Sequence, residues 1–558
     1  MISVDDHPIE VDVLVAGGGI AGLMAAINAA AKGVGVIVAE KSNTKRSGSG
    51  ATGNDHFLCY IPEVHGSEDM NLIMKTIQDS ILGRLNDISL INRLLKESFD
   101  RVKDWDKWGI GMKPTGRWEF TGHAFPDRPR LWLKYAGANQ KEVLTSQAKK
   151  AGARIENHVI VTDVITQNGR VMGAIGISTK NEIPVLKLFR TNCVVLATGC
   201  AQRLYPPAMS PGMLFNTAYC PSCNGAGRAT ALRVGAKLIN MEFPNSHAGP
   251  KYLSRTGKAS WIGILTDPHG NPVSPFVQKP SKDLGDITAD IWNSVFTDFY
   301  KSGKGPVYMD CTGTSNEDID YMLWGLRNEG QTAMINYMEE EGIDIRRHRV
   351  EFMKYESFLT GRGIEINTNA ETSVRGLYAA GDEVGNLRAA LSGAATFGWI
   401  AGASAAKRAK EVKGFEKAEK QPIVKERKAF YSDVLQRKSG PTWREANTAL
   451  QQIMNDYAGV QIRSATLLTA GIKYLRDLKN KVITTIMAEN SHTLMRSLET
   501  IDLIECGEAV FLTALERKET RGPHIRSDFP FTNPLLQDKF ITIRRANGAF
   551  ELEWRNKQ

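Results

Sequence analysis

Residues 11–41 read Val-Asp-Val-Leu-Val-Ala-Gly-Gly-Gly-Ile-Ala-Gly-Leu-Met-Ala-Ala-Ile-Asn-Ala-Ala-Ala-Lys-Gly-Val-Gly-Val-Ile-Val-Ala-Glu-Lys, and the fold class follows from this stretch. An apolar strand over 11–16 runs into Gly17-x-Gly19-x-x-Gly22, which opens an Ala-rich helix. A second apolar strand over 34–39 ends at Glu40. The glycines allow a tight turn and let backbone N–H groups approach a pyrophosphate at the positive end of the helix. Glu40 stands where an acidic side chain accepts hydrogen bonds from a ribose. Strand, turn, helix, second strand and acid together predict a bound dinucleotide, with Gly17, Gly19, Ala21, Gly22 and Glu40 as its first binding residues. A glycine-rich turn that binds nothing does not require the terminal acid.

The bulk composition narrows the class. At 558 residues the chain is long enough for two to four domains. An apolar fraction of 42% with 23% charged residues is that of a globular protein. No apolar run is long enough to span a membrane. The N-terminus lacks the basic and apolar regions of a secretory signal, so a cytoplasmic site is expected. The cysteines at 59, 193, 200, 220, 223, 311 and 506 are sparse and odd in number, which suits free thiols rather than a disulfide framework. Net charge is +9, and much of the excess lies in 407–428. That run reads either as a solvated helical face or as a docking face for an acidic partner protein. It lacks interleaved aromatic residues, so nucleic acid is not expected as a partner.

Further along, 70–109 and 139–150 have helical spacing, and 154–178 alternates like an antiparallel sheet around Asn168-Gly169. Residues 192–199 read as a buried strand. Residues 236–354 carry Pro/Gly-rich loops and read as an inserted domain covering a substrate. Residues 373–381 return to a strand ending in glycine, 411–519 is helical and charged, and strand character recurs over 540–554. The expected fold is α/β: a Rossmann-type dinucleotide-binding domain from 1–235 and 355–410, an α+β capping domain at 236–354, a helical C-terminal domain at 411–530 and a tail at 531–558.

Two more segments have a job on a dinucleotide. Val194-Val195-Leu196-Ala197-Thr198-Gly199 lets the chain pass close beneath the cofactor through Ala197, Thr198 and Gly199. Gly376-Leu377-Tyr378-Ala379-Ala380-Gly381-Asp382 ends on an Asp able to bond a ribityl or ribose hydroxyl, and Ser392, Ala394 and Ala395 open the next helix near the cofactor.

With these segments in place, the chain resembles the flavoproteins of the succinate dehydrogenase/fumarate reductase superfamily over about residues 10–530. The resemblance includes Glu40-Lys41, then Ser47-Gly48-Ser49-Gly50-Ala51-Thr52-Gly53, then Ala236-Lys-Leu-Ile-Asn-Met-Glu-Phe243, Gly305-Pro-Val-Tyr-Met-Asp310 and Glu516-Arg-Lys-Glu-Thr-Arg-Gly-Pro-His-Ile-Arg526. It implies FAD, with Lys41, Ser47, Gly48, Ser49, Thr52 and Gly53 around its pyrophosphate and ring. It also implies a ferredoxin-like iron–sulfur subunit or a soluble carrier as electron partner, because the chain has no cysteine array of its own for a cluster.

The departures from the family pattern are as informative. The loop Arg46-Ser47-Gly48-Ser49-Gly50 has no histidine, so FAD is expected to be held without a covalent bond. Met241-Glu-Phe-Pro-Asn-Ser-His247 keeps the histidine of the family's substrate motif but not its neighbours. The proton-donating arginine of the family falls near Lys258-Ala259-Ser260-Trp261, where there is none. A second histidine falls near Leu359. The substrate block is reduced to Gly385–Gly393. Two groups that would bind and protonate fumarate are thus missing, which argues against simple fumarate reduction. The short block and Gly116-Arg117-Trp118 look more like the adenylylsulfate reductase α subunit.

The expected activity is two-electron oxidation or reduction of a small anionic substrate. Arg388, at the start of the last helix, is the candidate substrate arginine. Its alternative is a surface or phosphate-pairing arginine. His247 and His56 are candidate proton donors, with a hydrogen-bonded loop histidine as the plain alternative. Lys251, Arg255 and Lys258 make one loop basic, and Asn54 follows the flavin loop. Cys220-x-x-Cys223 is read mainly as packing, and no metal site is expected. The competing readings are a fumarate, enoate or succinate enzyme, and an electron-relay flavoprotein with no substrate of its own.

Overall fold

The computed structural model describes residues 2–4, 7–66, 69–79, 84–120, 129–208, 213–251, 261–273, 280–281, 295–296, 299–459 and 462–558. The apolar runs of the sequence form its centre. Leu377–Ala379, Val194–Leu196, Val13–Ala16, Val36–Glu40 and Arg154–Asn157 lie side by side in that order, every neighbouring pair parallel. The first four are buried throughout, as strands covered on both faces must be. Ala16 pairs with Ala39 and Leu196, and Leu196 with Ala379. The strands therefore end level, and the loops after them leave from one carboxyl edge, where such sheets bind ligands.

The helix Ile20–Ala31 covers this sheet and packs against Ala390–Glu411. The packing needs backbone against backbone. A Cβ at Gly398 would meet the backbone of Ala21, and one at Gly402 that of Ala25.

Residues 154–178 divide differently from the alternation. Arg154–Asn157 joins the parallel sheet beside Val36–Glu40, and His158 then takes φ 61° and breaks the strand. Only Val159–Gln167 and Arg170–Ser178 form the antiparallel pair. Asn168 and Gly169, both at positive φ, supply the tight turn whose twist suits a hairpin.

Ala248–Pro250, Val350–Lys354, Val307–Asp310 and Ile264–Thr266 form a separate antiparallel sheet. It has its own apolar cluster around Trp261, Met309, Met322 and Phe352. The long helix Ser491–Glu516 lies within the stretch 411–519 read as helical and charged. It is buried along most of its length. Its acids are satisfied by cations of the nucleotide domain and neighbouring helices: Glu499 by Lys41 and Arg203, Asp502 and Glu505 by Arg233, Glu508 by Arg476. The last strands, Lys539–Ala546 and Ala549–Asn556, make a hairpin that adds to Leu238–Ile239 and so ties the chain's end to its middle.

Candidate active site

The carboxyl edge of the parallel sheet opens into a cavity of about 720 Å³, within the range of cofactor pockets. It reaches from Glu40 and Lys41, past the turn Gly17–Ala21 and the loop Ser47–Asn54, to His56, Tyr219, His247 and Arg388. Gly17 sits at φ 104°, and a Cβ there would strike the carbonyl of Ala197, so only glycine lets the two loops meet. No side chain caps the helix at Gly19, which leaves the N–H groups of its first turn facing the cavity. Ser47 Oγ is buried with no hydrogen-bond partner. An orphaned hydroxyl in the loop expected around the flavin fits a ligand that supplies the missing acceptor.

The supporting contacts are specific. Glu40 accepts from the N–H of Gly18 at 2.7 Å and of Ser42 at 2.8 Å, which aims its carboxylate along the turn. Lys141, on the helix Gln140–Lys150, is 2% exposed and donates to the carbonyl of Gly18. Burial lowers its ammonium to a pKa of about 8, against the opposing pull of Glu40. Glu383 accepts the N–H of Thr198 at 2.7 Å and its hydroxyl at 2.8 Å, and burial raises its carboxyl to about 7. Sequence reasoning missed Lys141 and Glu383, since nothing in their own neighbourhoods marks a partner so far away in the chain.

Most candidate cofactor residues line this cavity: Gly17, Gly19, Ala21, Glu40, Lys41, Ser47, Gly48, Ser49, Thr52, Gly53, Ala197, Thr198, Gly199, Gly381, Asp382 and Ala394. Gly22 stands behind the turn, where a Cβ would strike the carbonyl of Gly17. The helix Ala390–Glu411 begins before Ser392, so its periodicity turns Ala390, Leu391 and Ala394 to the cavity. Ser392 and Ala395 point inward, with the Ser392 hydroxyl donating to the carbonyl of Ala389 at 2.8 Å. Lys41 lines the wall, but its ammonium is taken by the carbonyl of Ser222, by Asn224 Oδ1 at 2.9 Å and by Glu499 at 2.8 Å.

At the far end the cavity gathers residues from widely separated segments. Arg388 is half-buried, and its exposed surface belongs to the cavity wall rather than to bulk solvent. The enclosing protein lowers its pKa, against the pull of Tyr219 and Asp382. Among the described residues no carboxylate lies within ion-pair distance of it. With the Asn245 amide oriented to satisfy both neighbours, Asn245 accepts from Arg388 Nη1 at 2.7 Å and donates to the carbonyl of Thr360 at 2.6 Å. The Tyr219 hydroxyl and His247 Nε2 share a hydrogen bond of 2.5 Å. Burial raises the Tyr219 phenol above its ordinary pKa, and Arg388 opposes the rise.

His56 completes this end. Its Nδ1 is 2.5 Å from Asp55 Oδ1 and 4.0 Å from Glu329 Oε1, and its ring meets the edge of Trp132. Asp55, His56 and Glu329 bring ligand atoms within 4.8 Å of one another, the one metal-compatible group among the described residues. The Asn54 side chain donates to the carbonyl of His56 at 2.8 Å, so it braces that histidine. Lys251 lies outside the cavity wall and pairs with Glu351 at 2.7 Å. Arg255 and Lys258 lie outside the described residues. Tyr219, Asn245, Thr360, Asp55 and Glu329 carried no signal in the sequence, because only the fold brings them to Arg388 or His56.

Sequence comparison agrees with this cavity. Residues 12–396 match the model of an FAD binding domain, and residues 447–556 match that of the fumarate reductase flavoprotein C-terminus. The chain belongs to the succinate dehydrogenase/fumarate reductase flavoprotein family. It is an FAD-dependent oxidoreductase. It is 26% identical to one of the subunits of the fumarate reductase (CoM/CoB) from Methanothermobacter marburgensis, over 97% of this chain and 98% of that one. Its fold is similar to that of adenylylsulfate reductase from Archaeoglobus fulgidus, with a TM-score of 0.84 at 21% identity, covering 100% of this chain and 96% of that one. It is also similar to the E. coli quinol fumarate reductase flavoprotein, with a TM-score of 0.80 at 20% identity, covering 99% and 97%.

Family segments away from the cavity act as a clamp. Arg517 of the C-terminal signature pairs with Glu242 and with Glu519, each at 2.7 Å and fully buried. His524 accepts from Arg463 at Nδ1 and donates from Nε2 to the carbonyl of Arg517. Burial and the surrounding arginines push its pKa well below the usual value and keep it neutral. Leu359, where the family pattern places a histidine, is fully buried, and its side chain offers no polar group.

Among the described residues no helix is long and apolar enough to cross a membrane.

Proposed function

We propose that this protein is the catalytic flavoprotein of a two-electron reductase or dehydrogenase acting on a small anionic substrate, seated between the flavin and Arg388. The observation that carries this reading is the Arg388 guanidinium, desolvated at the cavity wall with no carboxylate partner among the described residues. A buried cation left uncompensated is costly, and a bound anion removes that cost. FAD, when bound, supplies the electron-pair chemistry; the absence of histidine from 46–50 supports its being held without a covalent bond. Arg388 and Asn245 orient and neutralise the substrate. Tyr219, paired with His247, holds a proton at the phenol oxygen beside Arg388. His56, oriented by Asp55, is a second proton-carrying group on the same cavity.

Electrons are exchanged with an iron–sulfur subunit or a soluble carrier. Support comes from the run 407–428. Glu416 and Glu419 are drawn off to Arg170 and Arg190, and Arg427 pairs with Asp163. Lys407, Lys410, Lys413, Lys417, Lys420, Lys425 and Lys428 remain exposed, a surface suited to an acidic protein. A cytoplasmic setting without nucleic acid belongs to the same reading.

Similarity to adenylylsulfate reductase in fold, and the reduced block at 385–393, support a sulfur oxyanion as substrate. The identity to a fumarate reductase subunit favours an enoate as the second reading. The test is a panel of enoates and adenylylsulfate assayed on the FAD-loaded protein with a reduced viologen dye. Substrate-dependent dye oxidation is expected. Failure of every anion in the panel, with FAD bound, would leave the electron-relay alternative. Co-purification of a brown second polypeptide would support the iron–sulfur partner, whereas full activity of the lone flavoprotein with a soluble carrier would oppose it.

A further inference from the structure

We propose that Cys220 and Cys223 form a redox-active dithiol that exchanges an electron pair with the bound FAD. The Cys-x-x-Cys motif has no part in the function described so far, and its setting is unlike that of packing cysteines. Both residues line the cofactor cavity. They sit in the loop 217–224, which is anchored at its two ends to the two ends of the cavity. Tyr219 bonds His247 at the substrate end, while the Ser222 carbonyl and Asn224 are held by Lys41 next to Glu40. The segment between those anchors, which carries both cysteines, therefore runs along the length in which the flavin is expected.

The local geometry suits a disulfide. The N–H of Cys223 donates to the carbonyl of Cys220 at 3.0 Å, closing a turn that brings the two side chains together. Cys223 sits with Cys200 in a small buried apolar cluster, and Cys220 packs against it. The sulfur of Cys200, in the same cluster, lies 3.8 Å from the hydroxyl of Ser49 in the loop expected around the flavin. The Cys223 sulfur packs against Gly199, at 3.1 Å from where a Cβ would stand. It is thus pressed onto the Ala-Thr-Gly strand end that passes beneath the cofactor.

The three sulfurs do not all come within 4.8 Å of one another. They are therefore not the closed set that a zinc ion needs. Cys220 is half-buried, while Cys223 and Cys200 are buried. The neighbouring Cys223 and burial hold the Cys220 thiol well above the ordinary range, and Cys200 with burial does the same for Cys223. The resting pair is therefore the dithiol rather than a thiolate.

In the oxidising direction both S–H bonds break and one S–S bond forms between Cys220 and Cys223. FAD takes the two electrons and the two protons released. In the reducing direction the same change runs backward. Cys220, the accessible member, is the sulfur at which an external thiol or disulfide of low molecular weight would exchange. This goes beyond the reading above and requires only bound FAD, not the anionic substrate.

The test uses the FAD-loaded full chain. After oxidation with ferricyanide, alkylation and peptide mass mapping are expected to find Cys220 and Cys223 blocked and linked, and both alkylated after reduction. Anaerobic dithionite titration of the oxidised protein is expected to consume about four electrons per FAD, falling to about two in Cys220→Ser and staying at about four in Cys200→Ser. Free alkylation of both cysteines in the oxidised wild type would overturn the proposal. A Cys200–Cys223 link would overturn the assigned pair. Uptake of only about two electrons by a disulfide-containing wild type would show that the pair is not coupled to the flavin. The mapping needs no variant, so a Cys220→Ser protein that fails to fold does not block it.

Discussion

The hydroxyl of Tyr219 and Nε2 of His247 stand 2.5 Å apart, although 28 positions separate them in the chain. Each is held from its own side. His247 precedes the strand Ala248–Pro250, and Tyr219 belongs to the loop along the cavity wall. If this pair carries the proton, Tyr219→Phe lowers kcat by roughly 10²-fold, with FAD still bound. The double variant with His247→Gln should lose little more than the worse single variant, because both act on one proton path. Steady-state kinetics of the four proteins decide it, and fully multiplicative losses would separate the two residues.

Arg388→Ala is expected to lower kcat/KM for the anionic substrate by roughly 10²- to 10³-fold, the cost of removing one member of a buried ion pair. Arg388→Lys should not restore it, since a point charge does not replace the planar fork. The flavin content, read from visible absorbance, stays unchanged. An unaltered kcat/KM would remove Arg388 from the substrate site.

Ser47→Ala tests the cofactor half. One hydrogen bond to the ligand contributes about 1 kcal/mol, so the Kd for FAD should rise about fivefold. Release of flavin fluorescence on dilution measures it. No change would mean that the Ser47 hydroxyl stays unpaired in the holoprotein.

Glu383 gives a pH dependence with a definite sign. Its folded-state pKa is raised from 4.5 to about 7. The folded protein then binds more protons than the unfolded chain between those values. Its contribution to stability is fully present below pH 4.5 and is lost as pH rises through about 7. Asp502, also raised to about 7, acts in the same direction. Thermal unfolding across this window should show a shallower decline in Glu383→Gln than in the wild type. Equal slopes would mean that Glu383 does not titrate there.

Gly402→Val places side-chain atoms where the backbone of Ala25 stands. Forcing the two helices apart should cost about 1–3 kcal/mol or more and lower Tm, with FAD affinity weakened because Ile20–Ala31 carries the pyrophosphate turn. An unchanged Tm would show that the helix pair relaxes freely.

The two halves of the cavity are unequally legible in the chain. Gly17, Gly19 and Glu40 lie in one strand–turn–helix–strand unit, where backbone conformation and local spacing create the function. Thr198 and Asp382 follow strand ends and share that logic. Ser392 and Ala395 fall on the inward face because a two-residue shift in a helix start rotates every side chain. The charged helix Ser491–Glu516 is legible only in part: composition does not reveal that Glu499 and Asp502 meet Lys41, Arg203 and Arg233.

The strand–turn–helix–strand unit over 11–41, with its glycine turn and terminal acid, is set by contiguous residues whose geometry is local, so the amino-acid order suffices to specify it. The substrate end is a product of the folded chain. Tyr219, His247, Asn245, Thr360 and Arg388 become neighbours only there, and Lys41 and Lys251 are turned to protein carboxylates. Charge and hydrogen-bonding capacity are properties of a residue, but the partner that uses them is set by distance, and distance across long chain separations is fixed only by the packing of the whole.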